Sequence, residues 1–368
     1  MARLAHLCVY VSVGQEQAEE YAESALKLSR QLNDRSAEAL ALISLAELEF
    51  QHANGKCGPG HVDQALEIAR ALQDHWLISI ALIQKGKFTQ LKNSVEGMLL
   101  FEEGLREAQL SGDKRIICSG LFWVMINLLA TGQFARAKEI ARQRISVASE
   151  IGDKDAIIFS HNALGSIGLY EEDYLSSEDH AMTVIRLAKS YNHDEGLLHG
   201  LGTAGVGSLA LKNPPRVLEL CGEMERLILA KRIHLKTDIG YHVFLRAWVY
   251  MLEDDVEGVR KNAKELLTLY KQDNNTLLAI EYLRVFASLA FMSGCHHEHA
   301  VLTSVATRLH ERVAVAFFDF PFMNRIREEQ LATSHEILGA EGFNKAWEEG
   351  QKMTLDTAKE YAMELVNE

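Results

Sequence analysis

Apolar stretches of helical length follow one another along this chain, and short polar breaks ending in aspartate interrupt them at regular intervals. The breaks are Asn33-Asp34, Gln73-Asp74, Gly112-Asp113, Gly152-Asp153, His193-Asp194 and Gln272-Asp273, at spacings of 40, 39, 40, 41 and 79 residues, the last covering two units. A period of about 40 residues, held from residue 34 to 273, marks a repeat array. Each Asp is expected to open a helix, where its carboxylate accepts a backbone N–H and meets the positive end of the helix dipole. A second break follows some 18 residues later, at Asn54-Gly55, Thr131-Gly132, Glu172-Asp173, Asn213-Pro214 and Ser293-Gly294, and a second helix runs on to the next Asp. Small residues recur at helical spacing in that second helix: Ala18, Ala22, Ala25 and Ser29, then Ala65 and Ala69, then Ala137, Ala141 and Ala148. Such stripes let two helix backbones approach closely. Each unit is thus a helical hairpin with apolar residues on more than one face, and it must stack on neighbours to bury them.

The fold class this predicts is all-α: an α-solenoid of about eight helical hairpins over residues 1–311, followed by a C-terminal helical capping segment over 312–368. The unit at 214–252 departs from the pattern, because it starts Pro-Pro and offers only Asp238 as a loose anchor. A small residue follows a large one midway along the first helix of several units, as in Leu45-Ala46, Lys85-Gly86 and Leu164-Gly165. With the small-residue ladder of the second helix, this resembles the tetratricopeptide repeat family in its longer form, over about residues 1–311. The resemblance implies a right-handed superhelix whose first helices line a concave face.

Beyond residue 311 the period is lost. The stretch 338–365 then carries a spaced pattern of Gly342, Phe343, Ala346, Trp347, Gly350, Met353, Thr354, Ala358 and Ala362. It predicts a short helix over 341–349, Gly350 as its C-cap and a new helix N-capped by Thr354. Phe343, Ala346 and Trp347 share a face that could close the open end of a stack. The segment is similar to the terminal motif of bacterial regulatory ATPases of the STAND class, the maltose-operon-activator-like regulators among them. That likeness implies a sensor arm following an NTPase domain. The chain has no Gly-x-x-x-x-Gly-Lys-Ser/Thr loop and no basic helix-turn-helix, so neither ATP hydrolysis nor DNA binding carries over. Extending the period backwards puts an anchor before Met1, so the array is expected to begin inside a unit of a longer protein.

Charge narrows the partners. With 38 Lys+Arg against 51 Asp+Glu, the net charge of −13 argues against direct nucleic-acid binding. The five cysteines form neither a CxxC pair nor a disulfide framework, which suits a reducing, cytoplasmic setting. No apolar run reaches the roughly 18 residues a membrane span needs.

Counting from the Asp anchors places Ile43, Glu47, Ile83, Lys87, Gln90, Phe122, Ile126, Phe159, Asn162, Ser166 and His199 on the concave face. Gly202, Gly205 and Gly207 leave room beside His199, and Tyr241, Phe244, Trp248, Tyr282 and Phe286 continue the face. The candidate binding residues among these are Glu47, Lys87, Phe122, Asn162, His199, Tyr241, Phe244, Trp248, Tyr282 and Phe286. An aromatic face with few polar groups suits a protein or peptide partner helix or a small apolar ligand. The competing expectation is that a tightly wound array buries this face as core.

Other constellations are read as structural. Cys295-His296-His297-Glu298-His299 is the only metal-like run and lacks a nameable fourth ligand, so no metal is assigned. The glycines of 200–207 sit in a helical rather than a βαβ context and point to close helix packing. His161, His199, His234 and His242 have no accompanying Ser or Cys nucleophile motif, and Glu102-Glu103, Glu171-Glu172 and Asp254-Asp255 read as solvated helix ends. Lys231, Arg232, His234 and Lys236 form a small surface basic patch. The chain is therefore expected to be non-enzymatic and free of cofactors: a sensing or protein-interaction array of a signal-transducing, transcription-regulating ATPase-type protein. The alternatives are a free-standing adaptor for partner peptides and a peptide-pheromone receptor. Self-association stays open.

Overall fold

The computed structural model describes residues 15–52, 60–231, 236–270, 276–311 and 319–367. Among the described residues there are seventeen α-helices and no strand, and consecutive helices pack on one another as an all-α solenoid. The chain divides into two compact units, residues 1–160 and 161–368.

The first unit holds α1 (Gln15–Leu32), α2 (Arg35–His52), α3 (Gly60–Leu72), α4 (His75–Gln90), α5 (Ser94–Ser111), α6 (Lys114–Ala130) and α7 (Phe134–Ile151). The division between units falls within α8 (Lys154–Tyr170). Besides its chain neighbours, α4 touches both α2 and α6, so these three form one layer and the alternate helices the other. A helix flanked on so many sides must be apolar nearly all round. In α4 the run Leu77–Lys87 is buried but for Lys85. The outer helices need only one apolar stripe, and α7 buries Ala137, Ala141 and Ala148.

The boundary chemistry is repeated. The Asp34, Asp74, Asp113 and Asp153 carboxylates accept from the N–H groups of Ala37, Leu77, Arg115 and Ala156 at 3.0, 3.1, 2.8 and 2.9 Å. Gly112 and Gly152 end the preceding helices with φ of 71° and 68°, the left-handed conformation glycine adopts without a Cβ penalty. Asn54-Gly55 and Asp273 lie outside the described residues.

The second unit holds α9 (Tyr174–Tyr191), α10 (Asp194–Ala210), α11 (Pro214–Lys231), α12 (Lys236–Leu252), α13 (Val256–Tyr270), α14 (Thr276–Met292), α15 (His296–Glu311), α16 (Pro321–Lys352) and α17 (Leu355–Asn367). Here α12 touches both α10 and α14, repeating the inner layer. The Pro-Pro start that spoiled the sequence pattern is the first turn of α11, where a missing N–H costs nothing. The glycine run does bring helices together: a Cβ at Gly202 would collide with the Tyr241 ring, and one at Gly205 would lie 2.7 Å from Leu245.

Three local expectations are corrected. His193, not Asp194, caps α10, its Nδ1 accepting from Gly196 N–H at 2.8 Å. The helix expected over 341–349 is the latter part of α16, which breaks at Gly339 (φ 67°, ψ 168°) and runs on to Lys352. Gly350 is therefore not a C-cap. A Cβ there would strike the Val301 carbonyl oxygen and the Ser304 side chain, so its smallness serves the α15–α16 contact. Thr354 does cap α17, accepting from Thr357 N–H at 3.2 Å. Ala346 is buried against Ala300 and Val301 with Phe343 beside them, and α17 covers faces of α13, α14 and α15. Among the described residues no helix is long and apolar enough to cross a membrane.

Candidate functional site

In the unit of residues 1–160, Glu47 and Lys87 stand one repeat apart on α2 and α4, and the ammonium meets the carboxylate directly. Their side chains are only 7% and 5% exposed. Gln51 Nε2 donates to the other Glu47 oxygen at 3.1 Å. The ammonium also lies 4.8 Å from the Trp123 ring centre and 5.7 Å from that of Phe50, in reach of the negative ring faces. Burial pushes the Lys87 pKa below its ordinary value, and Glu47 opposes that shift. Phe122 is half-buried, edge-on to Trp123 at 5.2 Å, with the Arg144 guanidinium 4.9 Å from its ring. Arg144 donates to the Cys118 and Ala156 carbonyls at 3.1 and 3.0 Å and to Ser160 Oγ at 3.1 Å; burial lowers its pKa. Ile43 and Ile83 are buried, whereas Gln90, Ile126 and Phe159 are half-buried. This face is an aromatic surface, partly open, over one buried ion pair.

In the unit of residues 161–368, Asn162 on α8 accepts from Thr203 Oγ1 on α10 at 3.0 Å, again one repeat apart. Ser166, His199 and Tyr241 are half-buried, while Phe244, Trp248, Tyr282 and Phe286 are buried. The stretch 319–331, part of the segment expected to cap the array, lies over this aromatic row. Phe320 packs on Tyr170 at 4.9 Å, and Phe322 meets Tyr174 and Trp248 at 6.5 and 6.4 Å. The Arg327 guanidinium sits 5.4 Å from the Trp248 ring and donates to Glu281 at 3.3 Å and to Asn324 Oδ1 at 2.9 Å. Glu281 also accepts from Arg284 at 2.5 Å, and Arg284 lies 2.9 Å from Asp319, whose other oxygen meets His310 at 2.6 Å. At the outer edge Arg325 grips Glu172 with two nitrogens, at 2.6 and 2.9 Å. Burial pushes the Arg327 pKa down to about 10; for Arg284 burial acts the same way, but Glu281 and Asp319 outweigh it and raise the value. No local pattern could have announced this arrangement, because periodicity says which face of a helix is apolar, not where the helix lands.

A cavity of about 150 Å³ lies between α14, α15 and α16, with Arg284, Ser288, His299, Asn324, Arg327 and Gln330 in its wall. The metal-like run stands beside it. His296 and His299 share the buried Ser334 hydroxyl, at 3.0 and 2.8 Å, and His297 meets Glu349 at 3.2 Å. The hydroxyl can donate to only one of the two imidazoles, so the other must donate to it. Burial, aided by His296, pushes the His299 pKa down to about 4. Among the described residues no group of three or more His, Cys, Asp or Glu is placed to hold a metal ion.

No family model matches the chain. It is similar to regulators instead. The proteins named "Putative HTH-type transcriptional regulator Mb0914c" of Mycobacterium bovis and "Putative HTH-type transcriptional regulator Rv0890c" of Mycobacterium tuberculosis are each 20% identical to it over 93% of this chain. The same figures hold for "Putative HTH-type transcriptional regulator MT0914" of Mycobacterium tuberculosis. The chain spans 42% of the length of each relative, so more than half of each lies outside the match. The similarity fits a regulatory role.

Proposed function

We propose that this chain is the sensing region of a transcription-regulating protein. It binds a partner segment or a small apolar ligand on the concave face of a tetratricopeptide-type array and performs no chemistry itself. The observation that carries the reading is the similarity to HTH-type transcriptional regulators along 93% of the chain, at 42% of their length. A stack of hairpins occupying less than half of a regulator is suited to receiving a signal rather than contacting DNA, and the −13 charge agrees. The ATPase-type architecture inferred from the C-terminal segment belongs to the same proposal, with a linked NTPase domain as the output. Binding would act by population shift: an occupant that prefers one arrangement of the stacked helices biases the parts joined to them.

The surface best suited to this is the face around Phe50, Phe122 and Trp123, whose rings are half-buried rather than sealed. Its test is a thermal-shift and fluorescence screen of the chain against peptides and small apolar metabolites, repeated on Phe122→Ala. A hit that shifts the melting midpoint of the parent and leaves the variant unmoved supports the reading. A screen whose hits act equally on both removes this face from the account.

A further inference from the structure

The aromatic row on α12 and α14 has the composition of a helix-binding groove, yet it is already covered by residues 319–331 of the same chain. We propose that this stretch is a displaceable internal ligand, occupying a docking surface meant for a partner helix that carries two aromatic anchors and a following arginine. The proposal rests on the reading of the concave face as a binding surface and adds the partner's chemistry and the device that controls access.

Three observations support displacement over permanent core. The first is how the stretch is held: beside the buried pairs that Asp319 and Arg327 make with Arg284, His310 and Glu281, its outer edge rests on an exposed pair, Arg325 on Glu172, which solvent and salt can reach. The second is imperfect pairing. Among the described residues, Trp248 Nε1 and Arg327 Nε are both buried at this contact with no hydrogen-bond partner. Buried polar groups are satisfied in the great majority of cases, so two orphans at one contact mark a fit that another occupant could improve. The third is that a cavity opens beside this contact, with Arg327 and Gln330 of the stretch and Arg284 and Ser288 of α14 in its wall, so the stretch is not closed in on that side.

The resident stretch also states what would replace it. Phe320 and Phe322, two apart around a Pro at the first helical turn, supply the apolar anchors. Arg325 and Arg327 reach the acidic groups Glu172 and Glu281 on the receiving side. A partner helix therefore needs two aromatic residues followed by a basic one, which is helix-in-groove recognition with charge setting the register.

The experiment uses the 368-residue chain and a fluorescein-labelled peptide of residues 319–338 as the probe. Arg325→Glu breaks the clamp and leaves Glu172 free to take the peptide's own arginine. Peptide binding to Arg325→Glu is expected to be at least tenfold tighter than to the parent or to the swapped pair Glu172→Arg/Arg325→Glu. A peptide carrying Phe320→Ala and Phe322→Ala should lose that binding. If Arg325→Glu unfolds cooperatively like the parent and takes the peptide no more tightly, the stretch is fixed core and the proposal falls. Should that variant fail to fold, Glu172→Gln opens the same clamp with a smaller change. Increased hydrogen exchange over 241–248 in Glu172→Gln is then the supporting result, and unchanged exchange the overturning one. Neither readout depends on the ligand screen around Phe122, so the two proposals fail separately.

Discussion

Replacing Lys87 with Met should destabilise the unit of residues 1–160 far more than removal of a surface charge. The side chains of Lys87 and Glu47 are 5% and 7% exposed, so the substitution leaves a carboxylate that water cannot reach. Among the described residues only the Gln51 amide, at 3.1 Å, still donates to it. Removing one member of a buried pair costs about 3–5 kcal/mol, largely the penalty of the stranded charge. Loss of the contacts with the Trp123 and Phe50 rings adds about 0.5–2 kcal/mol. With a urea slope of about 2 kcal/mol per molar, the midpoint should fall by about 2–3.5 M. Trp123, whose ring centre is 4.8 Å from the ammonium, reports this unit locally, which matters because long repeat arrays need not unfold in one step. The double variant Lys87→Met/Glu47→Leu removes both charges and should recover most of the loss, giving a coupling of at least about 2 kcal/mol in a double-mutant cycle. If Lys87→Met costs less than about 1 kcal/mol, the pair is hydrated and the buried-charge reasoning is wrong.

Other perturbations follow the same physics. Gly202→Ala would drive a methyl into the Tyr241 ring and should cost about 1–3 kcal/mol in thermal unfolding. Gly222→Ala, with nothing within 4 Å of the new Cβ, should instead stabilise α11 by about 0.5–1 kcal/mol. Gly350→Ala should lower the melting midpoint, because the Val301 carbonyl it would strike is backbone and cannot rotate away. His299 has a folded pKa of about 4 against an ordinary value of 6.5, so the unfolded chain takes up its proton first. Its contribution is complete above pH 6.5 and disappears as the pH falls towards 4, by about 3 kcal/mol in all. The groups facing it are His296 across Ser334 and Arg284, Arg327 and Glu328 around the cavity; a pH series on His299→Gln should lose this slope.

The fold was legible because its boundaries are set by local chemistry. Asp34, Asp74, Asp113 and Asp153 each cap a helix within three residues, so a spacing read from the chain is a spacing of real helix starts. The same period carries long-range information. Residues one repeat apart occupy equivalent sites on adjacent inner helices, which is why Glu47 meets Lys87 and Asn162 meets Thr203. What the sequence did not disclose is anything that depends on where a helix lands after the period ends. Phe320, Arg325 and Arg327 follow no repeat, and their partners Tyr170, Glu172 and Glu281 lie 150, 153 and 46 residues away. Gly350 departs from its expected role for a related reason: glycine serves both as a helix stop and as a close-contact residue, and the Val301 carbonyl facing it distinguishes the two.

The central claim is that residues 319–331 cover the aromatic row on α12 and α14 and can be displaced from it, and native-state hydrogen exchange read by mass spectrometry tests it most directly. The account predicts that 320–331 and 241–248 exchange slowly in the parent chain, and that both accelerate together in Arg325→Glu. Rapid exchange of 320–331 in the parent, with 241–248 slow and indifferent to the substitution, would contradict it.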